Sequence, residues 1–270
     1  IASEIMFNSS YPYRSSMSKT MIKSFNNLSK LIKKKFKPKK ILEIGSNDGS
    51  FIKNFSKKKV IGIEPCSNIE KITKNKGFNT YANYWNMTTA KKILKKDGKV
   101  DLIYSANTIS HIENLDEVFK SINIILNKNG IIIIEDPSLL ECLKKNTYDQ
   151  FYNEHIYVFS LLGIESILRK YNFEIFDIQN LKIHGGSNRY FIKRKIDKIP
   201  IKLNVKINRK KEVSYGIKKI STYTKFANRV KSSKKRLKKI FSRLKDKKKN
   251  VIGYGATAKS TTILNYCNID

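Results

Sequence analysis

The chain has 270 residues, 40% of them hydrophobic, with only 12 glycines and 5 prolines, which excludes fibrous and wholly disordered classes and leaves room for one or two domains. Its formal charge of +33 invites a nucleic-acid reading, yet only eight of the 55 basic residues are arginines; a lysine surplus beside abundant isoleucine and asparagine reads as compositional bias, so nucleic acid is disfavoured as a partner. No apolar run approaches the ~18 residues of a membrane span, and Cys66, Cys142 and Cys267 form no CxxC pair, which speaks for a reducing, by default cytoplasmic, compartment and against a metal site in this chain.

In chain order, residues 20–35 place Met21, Ile22, Phe25, Leu28, Leu31 and Ile32 at helical spacing, and Pro38 closes the segment. Residues 1–37 therefore read as a helical lead-in. Four short apolar runs follow, "KILEIG" at 40–45, "KVIGIE" at 59–64, "VDLIYS" at 100–105 and "GIIIIED" at 130–136, separated by helical stretches at 49–57, 68–76, 86–96 and 114–128. Runs apolar on both faces and alternating with helices predict parallel strands covered on both sides. Two further strands, 173–180 and 189–195, are joined by "LKIHGGS", a connection short enough for an antiparallel pair at the sheet edge. Residues 38–196 are thus expected to form an α/β domain, a mostly parallel, doubly wound, seven-stranded Rossmann-like sheet.

From residue 197 to 250 the pattern predicts a lysine-rich connection and one long amphipathic helix carrying Ile217, Ile220, Phe226, Val230, Leu237, Ile240, Phe241 and Leu244. The last stretch, 251–270, contains "NVIGYGATAKSTTILNY" and reads as strand, glycine turn and helix, the truncated start of a second Rossmann-like domain. The chain is accordingly expected to be a fragment at both ends.

The strongest local signal is "ILEIGSNDGSF". An apolar strand runs into Gly45, Ser46, Asn47, Asp48 and Gly49, where the backbone can turn tightly against a ligand and the following segment offers free N–H groups. There is neither a GxGxxG fingerprint nor a P-loop. Glu64 ends the second strand, before Pro65, where a carboxylate can accept both hydroxyls of a ribose. Asn107 follows the "VDLIYS" strand at the ligand-binding edge, and His111 could contact substrate or serve local capping and packing. "YDQFYNEHIYVFS" sets Tyr152, Glu154 and His155 among aromatics; its histidine is either a base or a buried imidazole satisfied by nearby backbone.

The glycine turn with its acidic second-strand terminus resembles the class I S-adenosylmethionine-dependent methyltransferases. Together with "GIEPCSNI", "YDQFYNEHIYVFS", "HGGSNRYF" and "GYGATAKSTTILNYC", the chain resembles the nucleotide-sugar C-methyltransferase family, which methylates carbon 3 of nucleotide-linked 4-keto-deoxysugars. The resemblance implies S-adenosylmethionine as cofactor, bound by Gly45, Ser46, Asn47, Asp48, Gly49, Glu64, Pro65 and Asn107. It also implies catalytic Tyr152 and His155, with Glu154 orienting the histidine or holding substrate, and Tyr13, His184 and Ser187 as substrate contacts. The family's zinc would sit in an N-terminal module with paired cysteines that this chain lacks. Carbon becomes nucleophilic only once a proton beside the ketone is removed, and an imidazole suits that task. Lys259, after the last glycine turn, could meet a phosphate of the nucleotide or serve strand-to-helix packing.

Two other readings stay open: methyl transfer to oxygen or nitrogen of another small molecule, and a basic RNA-binding protein with a methyltransferase-like fold. The oligomeric state is not legible, and a monomer is compatible with everything above.

Overall fold

The structure is a computed structural model that describes residues 2–255 and 257–269; Ile1, Ala256 and Asp270, which fall in the expected terminal stretches, lie outside it. The helices are α1 (Ser3–Met6), α2 (Lys19–Lys35), α3 (Ser67–Asn75), α4 (Met87–Asp97), α5 (Leu115–Ile125), α6 (Leu139–Lys145), α7 (Leu161–Arg169), α8 (Leu203–Tyr215), α9 (Ile220–Asp246) and α10 (Ala258–Cys267). The strands are β1 (Ile41–Ile44), β2 (Val60–Ile63), β3 (Asn79–Tyr81), β4 (Val100–Ala106), β5 (Leu126–Pro137), β6 (Phe173–Leu181) and β7 (Ser187–Arg194).

Every residue of β1 and β2 is buried, so their main-chain polar groups must be satisfied by neighbouring strands. They are: the seven strands form one sheet in the order β3-β2-β1-β4-β5-β7-β6, with β7 antiparallel to both of its neighbours. The expected antiparallel pair is present, but the chain inserts β7 between β5 and β6, leaving β6 at the edge.

One face of the sheet is covered by α2, whose Met21, Phe25, Leu28 and Ile32 pack with Ile41, Leu102, Tyr104, Phe176 and Phe191. The lead-in helix is therefore a layer of this sheet. The other face takes Ile93 of α4, Val118 and Ile122 of α5, and Ile164 and Leu168 of α7. Arg189 crosses to the α2 layer: its Nε donates to Glu135 Oε1 at 2.6 Å, its Nη1 to Gln179 Oε1 at 2.9 Å and its Nη2 to Ser24 Oγ at 3.1 Å. Tyr104 OH donates to the same Glu135 oxygen at 2.8 Å, so this buried ion pair is embedded in further hydrogen bonds.

Three expectations change. The stretch 49–57 is two 3-10 turns, Ile52–Asn54 and Lys57–Lys59, because Asn54 Nδ2 bonds back to the carbonyls of Ser50 and Phe51 and closes the first turn. The lysine-rich connection contains a helix of its own, α8, docked by Glu212, whose carboxylate accepts the first-turn N–H groups of Leu161 at 2.7 Å and Leu162 at 3.0 Å at the start of α7. Residues 251–255 form no strand; no neighbouring strand pairs with them among the described residues. Among those residues no helix is long and apolar enough to cross a membrane.

Candidate active site

The C-terminal ends of β1, β2, β4 and β5 open into a cavity of about 1080 Å³, the sheet edge at which ligands of such folds bind. Its floor is the turn after β1. Gly45 has φ +75°, and a Cβ there would meet Thr108 Oγ1 at 2.1 Å, so this position admits only glycine without displacement. Its N–H and that of Ser46 both donate to the Ile63 carbonyl, at 2.9 and 2.8 Å, which binds the turn to β2.

Asn47, at φ 46°, donates its N–H to Glu64 Oε2 at 2.9 Å, and Cys66 N–H donates to Glu64 Oε1 at 3.0 Å. Glu64 is thus fixed at the rim, and burial raises its pKa. Below it Glu43 is fully buried; burial, then Glu64 and Asp48, push its carboxyl well above the ordinary value. Among the described residues Glu43 Oε2 and Ser46 Oγ have no hydrogen-bond partner, and both residues line the cavity. Pro65 and Asn107 line it as well, the latter donating its N–H to the Glu135 carbonyl at 2.7 Å from a left-handed φ of 49°.

Two residues of the turn face away. Asp48 accepts from Ser50 Oγ at 2.7 Å and from Ser16 N–H at 3.1 Å, so its carboxylate serves the loop before α2. Gly49 packs on Thr73, whose Cγ2 would lie 2.2 Å from an added Cβ. The N-terminal segment closes the cavity from above: Ser15 N–H donates to Asn47 Oδ1 at 2.8 Å, Asn68 Nδ2 to the Tyr11 carbonyl at 2.9 Å and Tyr84 OH to the Phe7 carbonyl at 2.8 Å. Tyr13 lines this roof.

At the other end of the cavity, residues 151–155 form a turn in which His155 N–H donates to the Tyr152 carbonyl at 2.9 Å. His155 Nδ1 lies 2.7 Å from the Gln150 carbonyl. A carbonyl can only accept, so Nδ1 carries the hydrogen and Nε2 presents its lone pair, which accepts from Tyr152 OH at 3.1 Å. Burial lowers the His155 pKa below 6.5, favouring this neutral form. Glu154 turns aside to accept from Tyr11 OH at 3.4 Å; the expectation that it orients His155 is replaced by the Gln150 carbonyl.

His111 stacks against Phe7, with centroids 5.6 Å and planes 10° apart, and lies 5.2 Å from the His155 ring. Burial, then His155, bring its pKa down to about 3. His184, at φ 49°, also lines the cavity; burial, then Lys259, bring it to about 4. Lys259 reaches the same wall from the first turn of α10, with its pKa lowered by burial. Ser187 does not reach the cavity: it is buried at the start of β7 with its hydroxyl donating to the Ile183 carbonyl at 3.2 Å.

Sequence reasoning missed Glu43, Tyr11 and Gln150 at this site. Glu43 carried a signal, an acid inside an apolar strand. Tyr11 carried none, since its partner Glu154 is 143 residues away.

The family described as a methyltransferase domain matches residues 13–178, and the one described as a C-methyltransferase C-terminal domain matches residues 182–270. The C-methyltransferase NovU of Streptomyces niveus is 25% identical over 231 residues, covering 85% of this chain and 55% of NovU. The chain therefore spans about half the length of that curated relative. A SAM-dependent methyltransferase from Thermotoga maritima superimposes with a TM-score of 0.50 over 66% of this chain and 90% of its own, at 20% identity, a likeness of fold. A magnesium protoporphyrin IX methyltransferase from Synechocystis, solved with bound SAH, gives a TM-score of 0.49 at 13% identity, over 64% of this chain and 83% of its own.

Proposed function

The chain belongs to the family of methyltransferase domains and has their Rossmann-like class I fold; from that premise we propose that it methylates carbon 3 of a nucleotide-linked 4-keto-deoxysugar, with S-adenosylmethionine as donor and His155 as base. The observation that carries the reading is the hydrogen-bonded Tyr152–His155 pair in the same cavity as the Gly45 turn. The names attached to the C-terminal match and to NovU support carbon as the acceptor atom.

The turn suits the cofactor. Beside the Gly45 turn, Glu43 Oε2 and Ser46 Oγ have no partner among the described residues, and both residues line the cavity as polar groups for a ligand to meet. Gly45, Ser46 and Asn47 would hold the amino-acid part, Glu64 the ribose, and Pro65 and Asn107 the borders of the base; Asp48 and Gly49 would shape the turn from behind. When bound, S-adenosylmethionine supplies a sulfonium-activated methyl group that the enolate carbon attacks.

His155 Nε2 takes the proton from carbon 3, and the electron pair of that C–H bond passes into the adjacent ketone. Tyr152 OH, released from Nε2 as the imidazole becomes charged, donates to the ketone oxygen and stabilises the enolate. The Nδ1–H bond to the Gln150 carbonyl strengthens on the cationic ring. Glu154 and Tyr13 contact the sugar, while His184 and Lys259 meet the phosphates of the nucleotide.

The test is solvent exchange at carbon 3. Protein, a 4-keto nucleotide sugar and deuterated water should give exchange that is lost in His155→Ala, with the acid limb of the wild-type rate lying below pH 6.5 because the His155 pKa is lowered. No exchange with the wild type across a panel of 4-keto nucleotide sugars sinks the reading and returns the acceptor to oxygen or nitrogen.

A further inference from the structure

We propose that Gln150 is a positioning residue that fixes His155 and His184 as one unit, a role that rests on the reading of His155 as base. Gln150 is 2% exposed and lines the cavity. Its main chain and side chain act on different histidines. The carbonyl accepts from His155 Nδ1 at 2.7 Å and so selects the tautomer whose Nε2 is unprotonated and faces Tyr152 OH. The side-chain Nε2 donates to the His184 carbonyl at 2.8 Å, in the turn between β6 and β7.

That second bond falls where the backbone needs it. His184 holds φ 49° and ψ 36°, a left-handed conformation that a residue with a Cβ adopts only when its surroundings impose it. The amide is pressed against the same turn, with Nε2 3.4 Å from where a Cβ on Gly185 would stand. Gln150 Oε1 has no partner, so the His184 carbonyl is the one hydrogen-bond anchor of this side chain among the described residues. If the amide is lost, the 148–155 segment comes free of the turn, and the carbonyl that selects the His155 tautomer moves with it. The side chain of Gln150 thereby reaches the base through its own main chain.

The experiment uses the full chain labelled with 15N-histidine. With only three histidines, long-range 1H–15N spectra are assigned from His111→Asn and His184→Asn variants. The wild type should show His155 in a single tautomer with hydrogen on Nδ1. Gln150→Met should give a tautomer mixture at His155 and a kcat lower by up to about 10²-fold, the cost of misplacing a reacting group, with KM for S-adenosylmethionine unchanged. A folded Gln150→Met protein with an unaltered His155 tautomer overturns the proposal. If that variant does not fold, Gln150→Asn, whose amide is one methylene shorter and cannot reach the His184 carbonyl from the same main chain, carries the same prediction. A wild type lacking the single tautomer overturns it outright. If the tautomer behaves as stated while the wild type turns over no 4-keto nucleotide sugar, the function reading fails and the joint fixing of the two histidines stands.

Discussion

Gly45→Ala tests whether the turn after β1 is shaped by sterics. At φ +75° an L-residue costs about 1–2 kcal/mol in left-handed strain. The new methyl group would also sit 2.1 Å from Thr108 Oγ1 and 2.8 Å from its Cγ2, overpacking worth about 1–3 kcal/mol. The expected loss is therefore about 2–5 kcal/mol. Urea denaturation would show it as a lower midpoint at unchanged slope, and calorimetry should show S-adenosylmethionine binding weakened in parallel. Thr108→Ala removes the two nearest atoms but neither the strain nor the contact with its own Cβ, 2.9 Å away, so the double variant should recover only part of the overpacking. A Gly45→Ala protein with wild-type midpoint and wild-type affinity would refute the reasoning.

Two further outcomes follow from buried charges. Asp136, buried and accepting from Ser110 Oγ at 2.6 Å, has its pKa raised by burial to about 7. Its contribution is fully present below the unfolded value of 3.8 and is lost as pH rises through about 7; between these pH values the wild type should lose up to about 1.4 kcal/mol per pH unit relative to Asp136→Asn, measured by denaturation at pH 4 to 8. Arg189→Met leaves Glu135, 0% exposed, without its cation. A loss of about 3–5 kcal/mol is expected, only partly restored by adding Glu135→Leu, because Tyr104 OH then loses its acceptor; thermal melts of the three proteins would show it.

The central strands were legible because they are apolar on both faces, and α2 because its stripe repeats at helical spacing. β3 was not, since Asn79-Thr80-Tyr81 is short, largely polar and at the sheet edge, where a few ladder bonds to β2 suffice. α8 was hidden because it is not strongly amphipathic and owes its place to Glu212 meeting the start of α7. At the site, residue types were readable and orientations were not. Tyr152 and His155 do meet, through a turn. Asp48 and Ser187, chosen for their chemistry, spend their polar atoms on local structure. Gln150 could not be singled out, because it acts through a main-chain carbonyl that every residue possesses and a side-chain amide whose partner lies 34 residues away.

Because β7 runs against its neighbours, its first residue, Ser187, pairs with Pro137 at the end of β5, and the turn carrying His184 arrives at the same rim as the Gly45 loop. Neither loop is free to vary in length. The Gly45 turn is locked to β2 and to the loop before α2. The β6–β7 turn is tied by Gln150 Nε2 to the His184 carbonyl, by Lys145 Nζ to the Gly185 carbonyl and by Ser138 N–H to the Gly186 carbonyl. Most hairpin tips tolerate insertions because nothing but their own strands holds them; an insertion within residues 182–186 would instead be felt across the cavity, in the 148–155 segment.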